Sequence, residues 1–427
     1  MTQLRLFKDI PPKEKLSTNL TTHRYPLHRW FNFIAGFSPE FVSWCIEAAD
    51  LQKNEVLIDP FAGLSTALAQ ANFDGVASVG FEAHPFFYDI SLAKIFPPTQ
   101  RQQVDAIQAL ALSGVEPYRG ELTEIWTGDA AIFLGKLIPE PDLRLLASAL
   151  LLENQLELPE RPLYRLVLSK VLEYTAHAQT DGIYKAPTTQ KVSTPYHLAL
   201  QRACDEIRED MAALDGDYEQ RAILYPMSSE AMTPLADESC SLCVTSPPYL
   251  NNFDFAEMTR MELYFWRYAG SWAEITERVR RRLIVNTTTA PTALKRDQAR
   301  FSNMLSENFC KNLRPLIEAL REQQKVRAGK KDYHSLVYPY FAQMQSVIQE
   351  LQRVLRPNSS LHMIVGDAAL YGVYIQADML LGQLLQENGF EILKIEKLRN
   401  RGDRWVLEKR QGGSKLGEFH IHARRTR

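Results

Sequence analysis

The chain has 427 residues, of which 45% are apolar and 23% charged, and its formal net charge is −2. That composition describes a folded globular protein with enough chain for two lobes, and it excludes a disordered or collagen-like chain. The first fifteen residues hold no apolar stretch long enough for a signal peptide or a membrane span, and the five cysteines form no disulfide framework, so cytoplasm is the expected compartment.

Residues 1–35 read as an arm rich in aromatic and basic groups (His23, Arg24, Tyr25, His28, Arg29, Trp30), expected to pack on the core rather than to grip a polyanion. The next unit, 36–99, is the first informative one. Residues 55–66 read Glu-Val-Leu-Ile-Asp-Pro-Phe-Ala-Gly-Leu-Ser-Thr, and a helix-compatible stretch, 67–71, follows. Strand, glycine-containing loop and helix in that order open a nucleotide-binding α/β unit, with backbone N–H groups gathered at a helix N-terminus. A second strand, 76–81, ends at Glu82, 23 residues past Asp59. A carboxylate at that distance, on the tip of the next strand, is placed to bind ribose hydroxyls. The loop has one glycine where a dinucleotide fingerprint has three, which argues against NAD. Taken singly, Asp59 would read as a helix cap and Glu82 as a solvated strand end.

Residues 100–220 form a long insertion with helical periodicity, strongest over 143–152, 163–174 and 196–214. Residues 180–191 lack apolar periodicity and read as a polar loop. Loops on a rigid frame often carry recognition, so the insertion is a candidate target-recognition lobe; a structural or dimerising lobe is the competing reading.

From 221 onward the pattern returns to α/β. The apolar run 242–244 leads into Thr245-Ser246-Pro247-Pro248-Tyr249. Two prolines cannot sit inside a central strand or a helix, because each lacks an N–H and fixes φ. The chain must therefore leave the sheet through a stiff turn that fixes the Ser246 hydroxyl, the Pro247 carbonyl and the Tyr249 ring. Two acceptors and an aromatic face suit the grip of a flat, amino-bearing ring. Cys240 and Cys243 have metal-ligand spacing but no second pair, and they read as small strand residues; no metal site is expected. Beyond the turn, 257–355 reads as helices with a basic connection near 325–331. A crossover helix over 340–355 is stopped by Pro357, a strand covers 361–365, and a helix over 377–388 is closed by Gly389. Segments 390–398 and 418–423 alternate and suggest a terminal antiparallel pair. Charge is segregated: residues 271–335 carry 14 Lys/Arg against 7 Asp/Glu, and residues 393–427 carry 11 against 4. Two basic segments on an otherwise acidic chain would suit a phosphate-tracking face, although Arg278-Val279-Arg280-Arg281-Arg282 also reads as a plain solvated helix face. Arg399, Arg401 and Arg404, beside Trp405, are open to the same two readings.

Asp59-Pro60-Phe61-Ala62-Gly63, Glu82 and Ser246-Pro247-Pro248-Tyr249 together resemble the amino-directed DNA methyltransferases that use S-adenosyl-L-methionine. Leu250-Asn251-Asn252-Phe253-Asp254-Phe255 and the segment 36–41 are similar to the same family, over about residues 20–95 and 222–427. The resemblance implies a Rossmann-like methyltransferase sheet, doubly wound and ending in an antiparallel hairpin, interrupted by a large helical insertion. It implies a cofactor held by Phe37, Ser38, Asp59, Phe61, Ala62, Gly63, Thr66 and Glu82. Ser246, Pro247, Pro248 and Tyr249 would act on a flipped base of double-stranded DNA, and Phe253 or Phe255 would either wall the pocket or pack in the core. Ser246 in the first motif position tilts the acceptor toward cytosine N4, with adenine N6 next. An RNA base methyltransferase and a non-catalytic binding protein on the same fold are the other readings, and a restriction–modification role with a nuclease partner, or a homodimer, stays open. A ring-carbon methyltransferase is disfavoured because no cysteine stands in the turn. Two departures stand out: Ser65 replaces a second glycine, and Tyr225-Pro226-Met227-Ser228-Ser229 occupies the place of an adenine-contacting Gly-Asp-Ala. Gly128-Asp129-Ala130 is the displaced alternative for that role, disfavoured by spacing.

Overall fold

The apolar run around residue 57 cannot remain solvated, and in the computed structural model it forms an interior strand of a sheet buried on both faces. The structure describes residues 19–31, 36–113, 116–158, 160–180, 185–214, 220–251, 254–287, 289–326, 331–401 and 416–426. The strands in chain order are Val56–Asp59 (β1), Ala77–Phe81 (β2), Ala178–Thr180 (β3), Lys185–Gln190 (β4), Ala222–Tyr225 (β5), Cys240–Thr245 (β6), Leu355–Gly366 (β7), Ala368–Leu370 (β8), Val373–Ile375 (β9), Phe390–Asn400 (β10) and Gly417–Arg425 (β11). Seven of them make one mixed sheet in the order β10-β11-β7-β6-β1-β2-β5. β5, β2, β1, β6 and β7 are parallel neighbours, whereas β11 runs antiparallel to both β7 and β10.

Because strand side chains alternate in face, successive residues feed two cores. Leu57, Leu242, Val244 and Ile364 point into one apolar cluster, beneath the helices Pro39–Ala48 and Thr66–Phe73. Ile58, Cys243, Met363 and Val365 point into the other, covered by Glu307–Val326, Val337–Val354 and Ala377–Glu387. Helices on both faces keep the parallel strands from water, as such strands require. The expected terminal pair is present: Ile395 of β10 faces Ile421 of β11. Gly389 follows the helix Ala377–Glu387 with φ +84, the left-handed conformation that closes a helix most cheaply with glycine.

A third core belongs to the helical insertion. Arg101–Ser113, Gly128–Leu137, Glu140–Leu152, Glu160–Thr175 and Tyr196–Ala213 bury Trp126, Tyr164 and Tyr196 together with Phe86 and Phe87 from the helix Pro85–Ile95. Two segments distant in sequence join it. Residues 256–279 contribute Met261, Phe265, Trp266 and Ile275, and the arm contributes Leu27 and Trp30. The described part of the arm is packed, as expected: Arg29 pairs with Asp210 at 2.5 Å, the Lys170 ammonium donates to the Trp30 carbonyl at 2.9 Å, and His28 meets Gln70 at 3.2 Å. One expectation is corrected. The polar stretch 180–191 contains a strand, because Lys185–Gln190 pairs with Ala178–Thr180 through backbone groups that need no apolar alternation. Residues 181–184 of that stretch lie outside the described residues.

Candidate functional site

The chain order reverses between β1 and β6. From β1 the sheet builds one way through β2 to β5, and from β6 it builds the other way through β7. The two strands are direct neighbours, with Leu57 opposite Leu242 and Ile58 opposite Cys243. Ligands of open α/β sheets bind in the crevice outside the carboxyl ends of the strands at such a reversal. Both sequence motifs emerge there, the glycine loop from β1 and the Ser-Pro-Pro-Tyr turn from β6, with Glu82 at the end of adjacent β2.

The loop is held from several directions. The Asp59 carboxylate accepts the Phe61 N–H at 3.0 Å and the Thr245 hydroxyl at 2.7 Å. Asp59 is therefore not the cap of the following helix; it ties the loop to the residue before Ser246. Gly63 has φ +53, donates its N–H to Glu82 Oε2 at 2.7 Å, and accepts the Ser91 hydroxyl at 2.9 Å. The other Glu82 oxygen accepts the His84 N–H at 2.6 Å. Each carboxylate oxygen has two acceptor positions, so Glu82 retains the capacity to take two hydroxyls of a sugar diol. Burial pushes the Glu82 carboxyl up to about 8 and the Asp59 carboxyl up to about 7, against the lowering effect of these same hydrogen bonds. Phe61, Gly63 and Thr66 are partly exposed, whereas Ala62 is buried.

Ser65 answers one departure noted in the sequence. Its backbone lies at φ 57 and ψ 38, the left-handed region, so a serine adopts the conformation that a second glycine would supply. Its hydroxyl is buried without a hydrogen-bond partner among the described residues.

In the turn, Pro247 is buried while Ser246, Pro248 and Tyr249 are partly buried. The Tyr340 hydroxyl, from the helix Val337–Val354, donates to the Pro248 carbonyl at 2.9 Å and fixes the turn from below. The Tyr249 ring lies so close to Gly366 that a Cβ there would stand 2.6 Å from its Cδ2. The Arg401 guanidinium carbon is 5.0 Å from the centre of the same ring. Burial raises the Tyr249 hydroxyl above its ordinary value, and Glu418 adds to the rise. Just beyond the turn, Asp254 caps the short helix Phe255–Met258 by accepting from Ala256 N–H and Glu257 N–H at 3.1 and 3.2 Å. Its second oxygen pairs with buried Arg280 at 2.8 Å and takes the Thr289 hydroxyl. Phe255 packs against the helical core, 6.4 Å from Phe87 in an edge-on contact, while Asn252 and Phe253 lie outside the described residues.

Phe37 is buried in the same apolar cluster as Ala62, Val244 and Leu398. The Ser38 hydroxyl accepts the Phe41 N–H at 3.2 Å, so it serves as the cap of the helix Pro39–Ala48. The segment Tyr225-Pro226-Met227-Ser228-Ser229 begins at the end of β5, where the Tyr225 carbonyl accepts the Glu82 N–H at 3.0 Å. Gly128 instead starts the helix Gly128–Leu137 inside the helical lobe, next to Thr127, whose hydroxyl donates to the Gly270 carbonyl. Three residues with a clear place in this site carry no expected role from the sequence, Thr245, Tyr340 and Asp254, and Arg280, expected on a phosphate-tracking or solvated face, is instead buried against Asp254. Thr245 and Asp254 stand inside the quoted motifs and could have been weighed; nothing in the sequence singles out Tyr340.

The basic segments differ from an open phosphate-tracking face. Arg278 pairs with Glu274 at 3.0 Å, Arg281 with Glu277 at 2.9 Å, Arg399 with Glu418 at 2.7 Å and Arg424 with Glu391 at 2.7 Å. Arg280 is buried, so the run 278–282 is not one solvated face. Arg282 and Arg401 reach main-chain carbonyls instead, those of Pro226 and Asp367, at 2.6 and 3.0 Å. Arg404 and Trp405 lie outside the described residues.

No family model matches the chain. Among curated proteins it is 21% identical over 433 residues to Type II methyltransferase M.BsoBI of Geobacillus stearothermophilus, covering 91% of this chain and 83% of that one. It is 22% identical over 396 residues to Type II methyltransferase M.AvaI of Nostoc sp. and to the M.AvaI of Anabaena variabilis, covering 87% of this chain and 80% of each.

Proposed function

We propose that this chain methylates the exocyclic amine of a flipped base in double-stranded DNA, with S-adenosyl-L-methionine as donor and cytosine N4 as the preferred acceptor. The observation that carries this reading is the meeting of three separated sequence elements at one switch point: the Asp59–Gly63 loop, Glu82 and the Ser246–Tyr249 turn. Likeness to type II methyltransferases along most of the chain supports DNA as substrate and a restriction–modification setting.

Bound S-adenosyl-L-methionine supplies an electrophilic methyl group on a sulfonium. The donor set fits such a molecule: Glu82 would hold the ribose hydroxyls, Phe61, Ala62, Gly63 and Thr66 would line the loop side, and Phe37 and Ser38 would flank the methionine end. The acceptor side follows from the chemistry of an amino group whose lone pair is delocalised into its ring. The Ser246 hydroxyl and the Pro247 carbonyl would accept its two N–H hydrogens and draw the nitrogen toward tetrahedral geometry, which returns the lone pair for attack. Tyr249 would stack on the ring, and no covalent intermediate with the protein is needed. Extracting the base from a duplex costs a few kcal/mol, which binding must offset.

The test is mass spectrometry of nucleosides from the DNA of a methylation-free host expressing this chain, with an Asp59→Ala, Tyr249→Ala double variant as control. N4-methylcytosine present only with the intact chain is the expected result. N6-methyladenine would keep the mechanism and move the acceptor; neither product would overturn the reading and turn the search to RNA. The Ser65 departure lends no support to a non-catalytic protein, because the loop keeps the backbone a glycine would give it.

A further inference from the structure

Arg401 follows the last residue of β10 and reaches across the carboxyl end of the sheet to the catalytic turn. Three side-chain contacts and one backbone bond fix it there. One guanidinium nitrogen, Nη1, donates to Asn251 Oδ1 at 3.0 Å and to the Asp367 carbonyl at 3.0 Å. The guanidinium lies 5.0 Å from the centre of the Tyr249 ring. Its own backbone N–H donates to the Leu416 carbonyl at 2.7 Å, which anchors it to the strand entering β11. Asp367 is itself held, by the Gly417 N–H at 2.7 Å and the Tyr374 hydroxyl at 2.8 Å, so the carbonyl that Arg401 grips belongs to a rigid corner. Gly366 completes the arrangement, because a Cβ there would stand 2.6 Å from the Tyr249 ring and 3.0 Å from Arg401 Nη1, so the ring would have to shift.

We infer that Arg401 is the positioning residue of the catalytic turn, and that its flat guanidinium stands in for the target base on Tyr249. A guanidinium is planar, cationic and able to stack, as a nucleobase is, whereas an ammonium is a compact charge that cannot lie flat on a ring. Without a base, Arg401 holds the Tyr249 ring and the Asn251 amide in the geometry that receives one. When a base enters, the guanidinium gives up the ring and its freed N–H groups stay beside the flipped nucleotide. This role rests on the proposed base-flipping reading for its second half only; the hold on Tyr249 is independent of substrate.

The experiment uses the full chain and the variants Arg401→Ala and Arg401→Lys, each checked for unaltered thermal unfolding and for S-adenosyl-L-methionine binding by calorimetry. The first readout is nitration of Tyr249 by tetranitromethane in DNA-free protein, followed by peptide mass spectrometry. Nitration several-fold faster in both variants supports the clamp; equal rates in all three proteins overturn it whatever the enzyme's substrate. The second readout is single-turnover methyl transfer to saturating unmethylated plasmid DNA. The expected result is a rate about tenfold lower in Arg401→Ala and poorly recovered in Arg401→Lys, with cofactor affinity unchanged within about twofold. Unchanged rates at saturating DNA, with only DNA affinity lost and the lysine variant restoring it, would make Arg401 a phosphate contact and overturn the positioning role. Faster nitration with no methyl transfer by the wild-type chain would keep the clamp and discard the proposed function.

Discussion

The two sides of the crevice handle charge in opposite ways. On the loop side, Asp59 and Glu82 are buried and bonded to backbone N–H groups and one hydroxyl, and no cation pairs with either carboxylate among the described residues. On the turn side, Asp254 is paired with Arg280, and Arg401 covers Tyr249. One side therefore keeps acceptor capacity for something that comes and goes, while the other is locked before any substrate arrives. A crevice built this way leaves the electrostatics of one wall open to a bound ligand while the shape of the other is already set.

The largest expected effect breaks the locked side. Asp254→Ala would leave Arg280 buried without its carboxylate and strip the cap from Phe255–Met258, at a cost of about 3–5 kcal/mol, read as a fall in the urea midpoint. Next comes the loop side, where burial pushes the Glu82 carboxyl up to about 8 and the proposed hold on two hydroxyls would require it ionised. Cofactor affinity measured by calorimetry should strengthen by up to about tenfold per pH unit between pH 6 and 8, then level off. Glu82→Gln should remove that dependence and weaken binding by about 100-fold. The ligand-free protein has the opposite slope: the stabilisation from the raised Glu82 pKa is complete below about 4.5 and is lost as pH climbs through about 8. A smaller effect concerns the strained backbone. Ser65→Gly should stabilise the chain by about 1 kcal/mol, by relieving a left-handed serine and a buried hydroxyl without a partner, and leave cofactor affinity within about twofold. The smallest is expected at the exposed pairs: Arg281→Ala should shift stability by less than about 1 kcal/mol, since Arg281 and Glu277 are each more than half exposed.

What the sequence revealed followed from local rules. β1 and β6 are short apolar runs closed by the prolines at 60 and 247, so their ends and the motifs on them could be read directly, and β2 was legible as an apolar run ahead of Glu82. The long helices of the insertion were legible from period alone: 196–214 was expected and Tyr196–Ala213 is observed. The crossover helix and Gly389 followed from stop signals. Non-local partners were not legible. Tyr340 reaches the turn from 92 residues away, and the union of residues 256–279 with the insertion's core depends on which helices happen to meet. Charge was the weakest guide. A count of arginines along 271–335 could not foresee that Arg280 is internal or that Arg278 and Arg281 are answered by glutamates one helical turn away. The β3–β4 pair was missed because backbone pairing leaves no mark in a polar stretch.

The bond from Thr245 to Asp59 joins the tips of two adjacent strands, one carrying the loop and the other the turn. Neighbouring strands in any sheet lie about 4.8 Å apart, a spacing that hydrogen-bond length sets and side chains barely alter. The sheet thus works as a fixed gauge between the loop and the turn. Substitutions in the helical core, which packs beside the sheet rather than between these two strands, leave that distance unchanged.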